Sequence, residues 1–172
     1  MKTSSFKITS ASLFAALICI STMIIKIPSP LKGYINLGDA FVLLAGWLLS
    51  PAYGFLAAGV GSALADFFSG YVLYVPATFL IKGSMALLAY YGFLLFQKKL
   101  PLFSRRLFAG FLAEILMILG YYIFEGFLYG FGPSVVNILP NGIQGIAGIC
   151  LALMLLKILE KNKLLTFFQQ QK

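Results

Sequence analysis

The sequence predicts an all-α membrane protein: one transmembrane domain over residues 1–172, six membrane-spanning helices, and both termini on the cytoplasmic side. Three observations carry this. First, 60% of the residues are hydrophobic and only 10% are charged, where a soluble domain carries roughly 25% charged residues. A chain this short leaves much of its surface exposed, and a bilayer accommodates an apolar exterior. Second, the apolar residues form continuous runs rather than amphipathic alternation. Third, the basic residues collect between alternate runs.

A helical span needs about 20 apolar residues, with a range of roughly 17–25, and six segments meet or approach that. The first covers about 6–26. Lys2 and Lys7 ahead of the run Ile8 to Ile25 give it the look of a signal peptide. The run is longer than a usual signal core, and Lys26-Ile27-Pro28-Ser29-Pro30 offers no small-residue cleavage site. It reads as a retained helix. The second covers about 36–50 and stops at Pro51, and the third covers about 53–70 and closes at Ser69-Gly70. The fourth covers about 75–96, the fifth about 106–129 and the sixth about 134–158. Pro28, Pro30, Gly70, Pro76, Pro101, Gly132 and Pro133 punctuate the junctions.

The basic residues orient this array. One side holds Lys2, Lys7, Lys98, Lys99, Arg105, Arg106, Lys157, Lys161, Lys163 and Lys172, and the other only Lys26 and Lys32. Short loops rich in Lys and Arg stay cytoplasmic. The loops at 27–35, 71–74 and 130–133 therefore face outward. The net charge of +8 is thus a record of orientation, and no nucleic-acid partner is expected. There is no His, so a transition metal has few ligands to draw on, and neither metal nor cofactor is expected. Cys19 and Cys150 fall inside apolar segments and read as two buried thiols. No nucleophile–base set is visible, which argues against a membrane-embedded enzyme.

Charges inside a span cost roughly 2.5–3.5 kcal/mol each on insertion scales and tend to mark a substrate path or bundle interior. Asp39, Asp66, Lys82, Glu125, Asn137, Asn141 and Gln144 all fall toward the outer half of the membrane. That convergence points to a polar pocket open to the outside. Two roles fit most of these residues. Asp39 suits the first turn of a helix, complementing its dipole, or a ligand contact. Asp66 and Lys82 suit a mutually neutralising pair or the pocket wall. Glu125 suits a wetted interface or the pocket. Asn137, Asn141 and Gln144 share one helix face, for interhelical bonding or for a ligand. Glu114 falls toward the inner half and is not assigned to the pocket.

The loop 27–35, with Gly33 and Tyr34, suits a connector or a lid. Tyr71, Tyr74, Tyr121, Tyr122 and Tyr129 lie at the same level, as an interface belt or as stacking partners for a flat ring. Ala11 and Ala15 make a small-xxx-small pair, and Gly142, Gly145 and Gly148 another; both suit close helix packing, and the alanine pair also suits partner docking.

At these residues the chain resembles the substrate-binding S components of energy-coupling factor (ECF) vitamin transporters. The likeness covers nearly the whole sequence and is densest from Gly33 to Tyr71 and over Val75 to Gly83. Asn36-Leu37-Gly38-Asp39, Pro51-x-x-Gly54 and Gly61-Ser62-x-x-x-Asp66 are similar to the riboflavin, pyridoxine and hydroxymethylpyrimidine branch, and Leu139 to Gly148 to its last helix. The resemblance implies a prokaryotic plasma-membrane protein that binds a small vitamin from outside, docks through Ala11 and Ala15 on a transmembrane T component with two ATPases, and topples to release its cargo inside. The candidate ligand contacts are Tyr34, Asn36, Asp39, Asp66, Lys82, Tyr121, Glu125, Asn137, Asn141 and Gln144. The chain has no Gly-x-x-x-x-Gly-Lys-Ser/Thr phosphate loop, so ATP chemistry falls to the partners. Asn, Asp, Lys and Tyr in the pocket suit a small neutral heteroaromatic ring with hydroxyls: a vitamin B6 form or a thiamine-precursor pyrimidine, with riboflavin as the alternative.

Overall fold

A computed structural model describes residues 2–31, 33–162 and 165, with side chains from Ser5 onward. Lys32, Lys163 and Lys172, used above to orient the chain, lie outside the described residues. The elements run α1 (Lys2–Ile24), β1 (Ile27–Pro28), β2 (Tyr34–Ile35), α2 (Gly38–Leu48), α3 (Pro51–Phe68), α4 (Val75–Leu95), α5 (Leu102–Tyr129), the single turn α6 (Phe131–Ser134), a 3-10 turn (Val135–Asn137) and α7 (Ile138–Lys161).

Proline sets several starts. Pro51 opens α3 and Pro76 sits in the first turn of α4, where a missing N–H leaves no intrahelical bond unmade. Pro101 is the N-cap of α5, with φ −56°, so this helix starts at Leu102, earlier than the expected 106. The loop 27–35 is an antiparallel hairpin, Ile27 opposite Ile35 and Pro28 opposite Tyr34. It is a small β element in an otherwise helical chain.

Among the described residues six helices, α1 to α5 and α7, make the bundle, but they do not cross alike. Among the described residues, four helical stretches are long and apolar enough to cross a membrane on their own: Ser5–Ile24, Val75–Leu95, Leu102–Tyr129 and Phe131–Lys161. Helix α2 has 11 residues, about 16 Å at 1.5 Å per residue, or half of a ~30 Å hydrocarbon core. Every α2 residue except Phe41 is buried. The other helices clothe α2, so it needs neither the length nor the surface of a lipid-facing span.

The core draws Ile18, Leu43, Met85, Met117 and Leu156 from α1, α2, α4, α5 and α7. Leu13, Phe67, Leu80, Phe111, Phe127 and Ile146 point outward. Lipid is as apolar as leucine, so these residues gain nothing by turning inward. For the same reason the expectation of two buried thiols fails: Cys19 is half-buried and Cys150 exposed, both unbridged. In a bilayer an apolar context does not report burial.

One end of the bundle is basic. There Arg106 on α5 bridges Glu160 on α7 at 2.6 Å, Arg105 lies 4.5 Å from the Phe93 ring centroid, and Lys157 lies 5.9 Å from that of Phe103. The hairpin closes the other end. Along α1, Ala11 and Ala15 are half-buried against the core. A Cβ at Gly61 on α3 would meet the Ala15 carbonyl oxygen at 2.5 Å, so glycine there lets α1 and α3 touch backbone to backbone.

Candidate functional site

The hairpin roofs a polar cavity of about 40 Å³. Its walls are Ser29, Gly33, Tyr34 and Asn36 from the hairpin segment, Asp66 from α3, Tyr71 and Tyr74 from the α3–α4 connection, Tyr121 and Glu125 from α5, and Asn137, Asn141 and Gln144 from the start of α7. Eight of the ten residues expected at a ligand site therefore meet here. The other two, Asp39 and Lys82, lie beneath the cavity, fully buried and directed at each other.

This floor is a continuous chain of bonds. The backbone N–H of Asn36 donates to Gln144 Oε1 at 2.8 Å, and Asn36 Nδ2 donates to the same oxygen at 3.2 Å. Gln144 Nε2 donates to Asp39 Oδ2 at 2.6 Å. Asp39 Oδ1 receives the Lys82 ammonium. Asn36 Oδ1 turns back to accept the Gly38 N–H at 2.9 Å, occupying a donor that the first turn of α2 leaves unpaired. Such networks are strong when every member is satisfied, and this one joins α2, α4 and α7.

The expected Asp66–Lys82 pair is therefore corrected: Lys82 pairs with Asp39, and Asp66 is left to the cavity wall. Asp39 and Lys82 each face the bundle axis from adjacent helices, a rotation that one-dimensional spacing does not encode. Asp66 Oδ1 instead accepts the Tyr34 hydroxyl at 2.7 Å. Burial, then the Asp66 carboxylate, hold that hydroxyl far above the ordinary tyrosine range, so Tyr34 remains a donor.

Glu125 is buried, 3% exposed, not wetted at an interface. Asn137 Nδ2 spans both its oxygens at 2.9 and 3.0 Å, and the Tyr74 hydroxyl donates to Oε1 at 3.3 Å. Asn137 sits in the 3-10 turn just before α7, yet it still shares the cavity with Asn141 and Gln144. Its Oδ1 also receives the Leu31 N–H at 3.5 Å. The hairpin is thus latched at three points: Tyr34 to Asp66, Leu31 to Asn137, and Asn36 to Gln144.

Tyrosines do more than form a belt. Tyr34 and Tyr71 pack at a 51° tilt with centroids 5.0 Å apart, and Tyr74 meets Phe124 edge-on at 5.2 Å. Tyr121 exchanges a hydrogen bond with Thr78 at 3.1 Å and lies under Lys82, 5.6 Å from its centroid. Ser29 and Thr78 were not among the expected contacts, and Tyr71 and Tyr74 were expected only as belt or ring-stacking residues; polar residues at the ends of spans were the signal for them.

Glu114 also belongs to this region. Its carboxyl is 3% exposed, and neither oxygen has a hydrogen-bond partner. It lies where glycines admit it: a Cβ at Gly145 would come 3.1 Å from Oε2, and one at Gly148 would come 3.2 Å from Oε1 and 2.9 Å from Asp39 Cβ. Two members of the glycine stripe thus make room for acids. Gly142 has nothing within 4 Å of its would-be Cβ and is not part of that packing surface.

A multi-pass helical bundle with one basic end and one lidded polar cavity has the form of a membrane carrier's substrate-binding subunit. The profile of the ECF-type riboflavin transporter S component matches residues 2–161, and the chain belongs to that family. It is therefore a membrane transport component and not an enzyme. A solved structure described as the S component of a bacterial ECF transporter superposes with a TM-score of 0.74 at 25% identity, covering 92% of this chain and 97% of the other. An uncharacterised protein of Pyrococcus woesei is 35% identical over 146 residues, 84% of this chain and 95% of its own length. The thiamine precursor transporter HmpT of Lactococcus lactis subsp. cremoris is 25% identical over 167 residues, 95% of this chain and 93% of its own.

Proposed function

We propose that this chain captures a small heteroaromatic vitamin from outside the cell and delivers it inward as the S component of an ECF transporter. The observation that carries the proposal is the lidded cavity, where eight of the residues anticipated from sequence converge at the end opposite the basic residues. By the basic-residue rule, that end is extracellular and both termini are cytoplasmic.

A vitamin B6 form or a thiamine-precursor pyrimidine is the favoured cargo, and riboflavin is the alternative. The likeness to HmpT supports the first, and the family's riboflavin description supports the second. The cavity's volume, about 40 Å³, holds a few waters at most. A ring is admitted only when the hairpin swings off its three latches, so the hairpin acts as the lid. Partner docking uses the α1 face around Ala11 and Ala15, against a T component that carries two ATPases.

Uptake of isotope-labelled vitamin in cells expressing this chain tests the reading. Uptake that requires co-expressed T component and ATPases is expected. Uptake by this chain alone would identify a self-contained transporter instead.

A further inference from the structure

Glu114, on α5, takes no part in the cavity wall or in the bonded floor. It is 3% exposed, and among the described residues neither carboxyl oxygen has a hydrogen-bond partner. The fold has nonetheless cleared a place for it. A Cβ at Gly145 would crowd Glu114 Cβ at 3.0 Å, Oε2 at 3.1 Å and Cγ at 3.2 Å. One at Gly148 would sit 3.2 Å from Oε1 and 2.9 Å from Asp39 Cβ. Acids from α5 and α2 thus face each other across a side chain that α7 omits, and Lys82 is bonded to one of them.

The charge count at this point sets the state of Glu114. Asp39 from α2 and Lys82 from α4 both act electrostatically on it, Asp39 the more strongly. From α7 come glycine and the amide of Gln144, which is already engaged by Asn36 and Asp39. Tyr121, two turns along α5, shares its hydroxyl with Thr78. One ammonium therefore serves two acids, and Asp39 holds it. A second carboxylate here would be a buried charge with no donor. A carboxyl in that position keeps its proton instead, because burying the bare ion is far more costly than burying the neutral acid.

We propose that Glu114 is a proton-binding site in the membrane-embedded core and a second seat for Lys82. While it holds its proton, Lys82 stays on Asp39 and the network under the cavity is complete. Once that proton is lost to solvent, Glu114 competes with Asp39 for the ammonium. The chain from Lys82 through Asp39 and Gln144 to Asn36 then loses its anchor, which ties proton occupancy to one of the three latches of the hairpin. Ionisable residues that face the interior of a membrane bundle commonly serve as proton sites. None of this depends on which ring occupies the cavity.

Infrared spectra and thermal melts of the full chain in detergent, with no ligand added, test the proposal. At mildly acidic pH the wild-type protein should show a carbonyl-stretch band of a neutral carboxyl that is absent from Glu114→Gln. The same band should be lost in Asp39→Asn, where Lys82 is freed to pair with an ionised Glu114. The melts follow from proton counting. A native state that keeps a proton the unfolded chain releases loses stability as pH rises above the ordinary glutamate value of about 4.3. Glu114→Gln removes that loss, so its melting temperature should exceed that of wild type by about 5 °C or more at about pH 8, and by little at about pH 5. Identical carboxyl bands in wild type and Glu114→Gln, or a melting gap that does not widen with pH, overturn the proton site. A melting temperature that climbs with sodium at constant ionic strength in wild type but not in Glu114→Gln overturns it in favour of a metal cation. A band that survives in Asp39→Asn overturns the second seat for Lys82. If Glu114→Gln fails to fold, the comparison of wild type with Asp39→Asn decides alone.

Discussion

Lys82 on α4 directs its ammonium at the carboxylate of Asp39 on α2, and both groups are fully buried. Removing one partner of a buried pair leaves an uncompensated charge and costs about 3–5 kcal/mol, whereas replacing both is often near neutral. Lys82→Met should therefore lower the melting temperature strongly. Lys82→Met combined with Asp39→Asn should recover most of the loss. Thermal melts of the two variants in detergent check this, and additive losses would show that the pair is not the main interaction of either residue.

Asn141 lines the cavity from the second turn of α7. Losing a ligand contact there leaves a polar group on the vitamin unpaired, at about 1–3 kcal/mol, or about one to two decades in Kd. Interhelical hydrogen bonds in membranes average only ~0.6 kcal/mol, so a purely structural Asn would be nearly silent in binding. Asn141→Ala should weaken binding by calorimetry while leaving the melting temperature almost unchanged.

Tyr34 is the lid's contact with α3. Its bond to the Asp66 carboxylate is charge-assisted, worth about 1.5–3 kcal/mol. Tyr34→Phe keeps the ring and its tilted contact with Tyr71 but releases the latch. Bound vitamin should dissociate at least about tenfold faster in rapid-filtration assays. An unchanged rate would mean that the hairpin is not what retains the ligand.

Ala11 lies on α1, remote from the cavity, and a bulky side chain there blocks close helix approach. Ala11→Leu should abolish co-purification with the T component and ATPases and abolish uptake, with vitamin binding intact. Ala15 is the less informative position, because its backbone already closes against Gly61 inside the bundle.

Much of the architecture was legible in the sequence because the bilayer enforces it. Pro51 and Pro76 mark helix starts in any context, whereas the start of α5 after Pro101 was placed four residues late, and the basic residues that set the orientation now include a buttressed cluster at Arg105, Arg106 and Lys157. The depth of Asp66, Glu125, Asn137, Asn141 and Gln144 followed from counting residues along spans. What was not legible depended on rotation about helix axes. Spacing gives the height of Asp39, Asp66 and Lys82 but not which two face each other. It also hides that Gly145 and Gly148 make room for Glu114. The hairpin escaped because its strands are only two residues each, one containing Pro28, with too little pattern to register as β-structure. Cys150 was misjudged because apolar neighbours mean lipid as readily as core.

The central claim, that the lidded cavity holds a vitamin, is tested most directly by mass spectrometry of the small molecules released when the purified protein is denatured. The protein is expressed in cells grown in complete medium and washed extensively before denaturation. A single small heteroaromatic vitamin, recovered at close to one per chain and lost from the Asn141→Ala preparation, is the expected result. A well-folded preparation that releases no ring compound and binds none added back would contradict it.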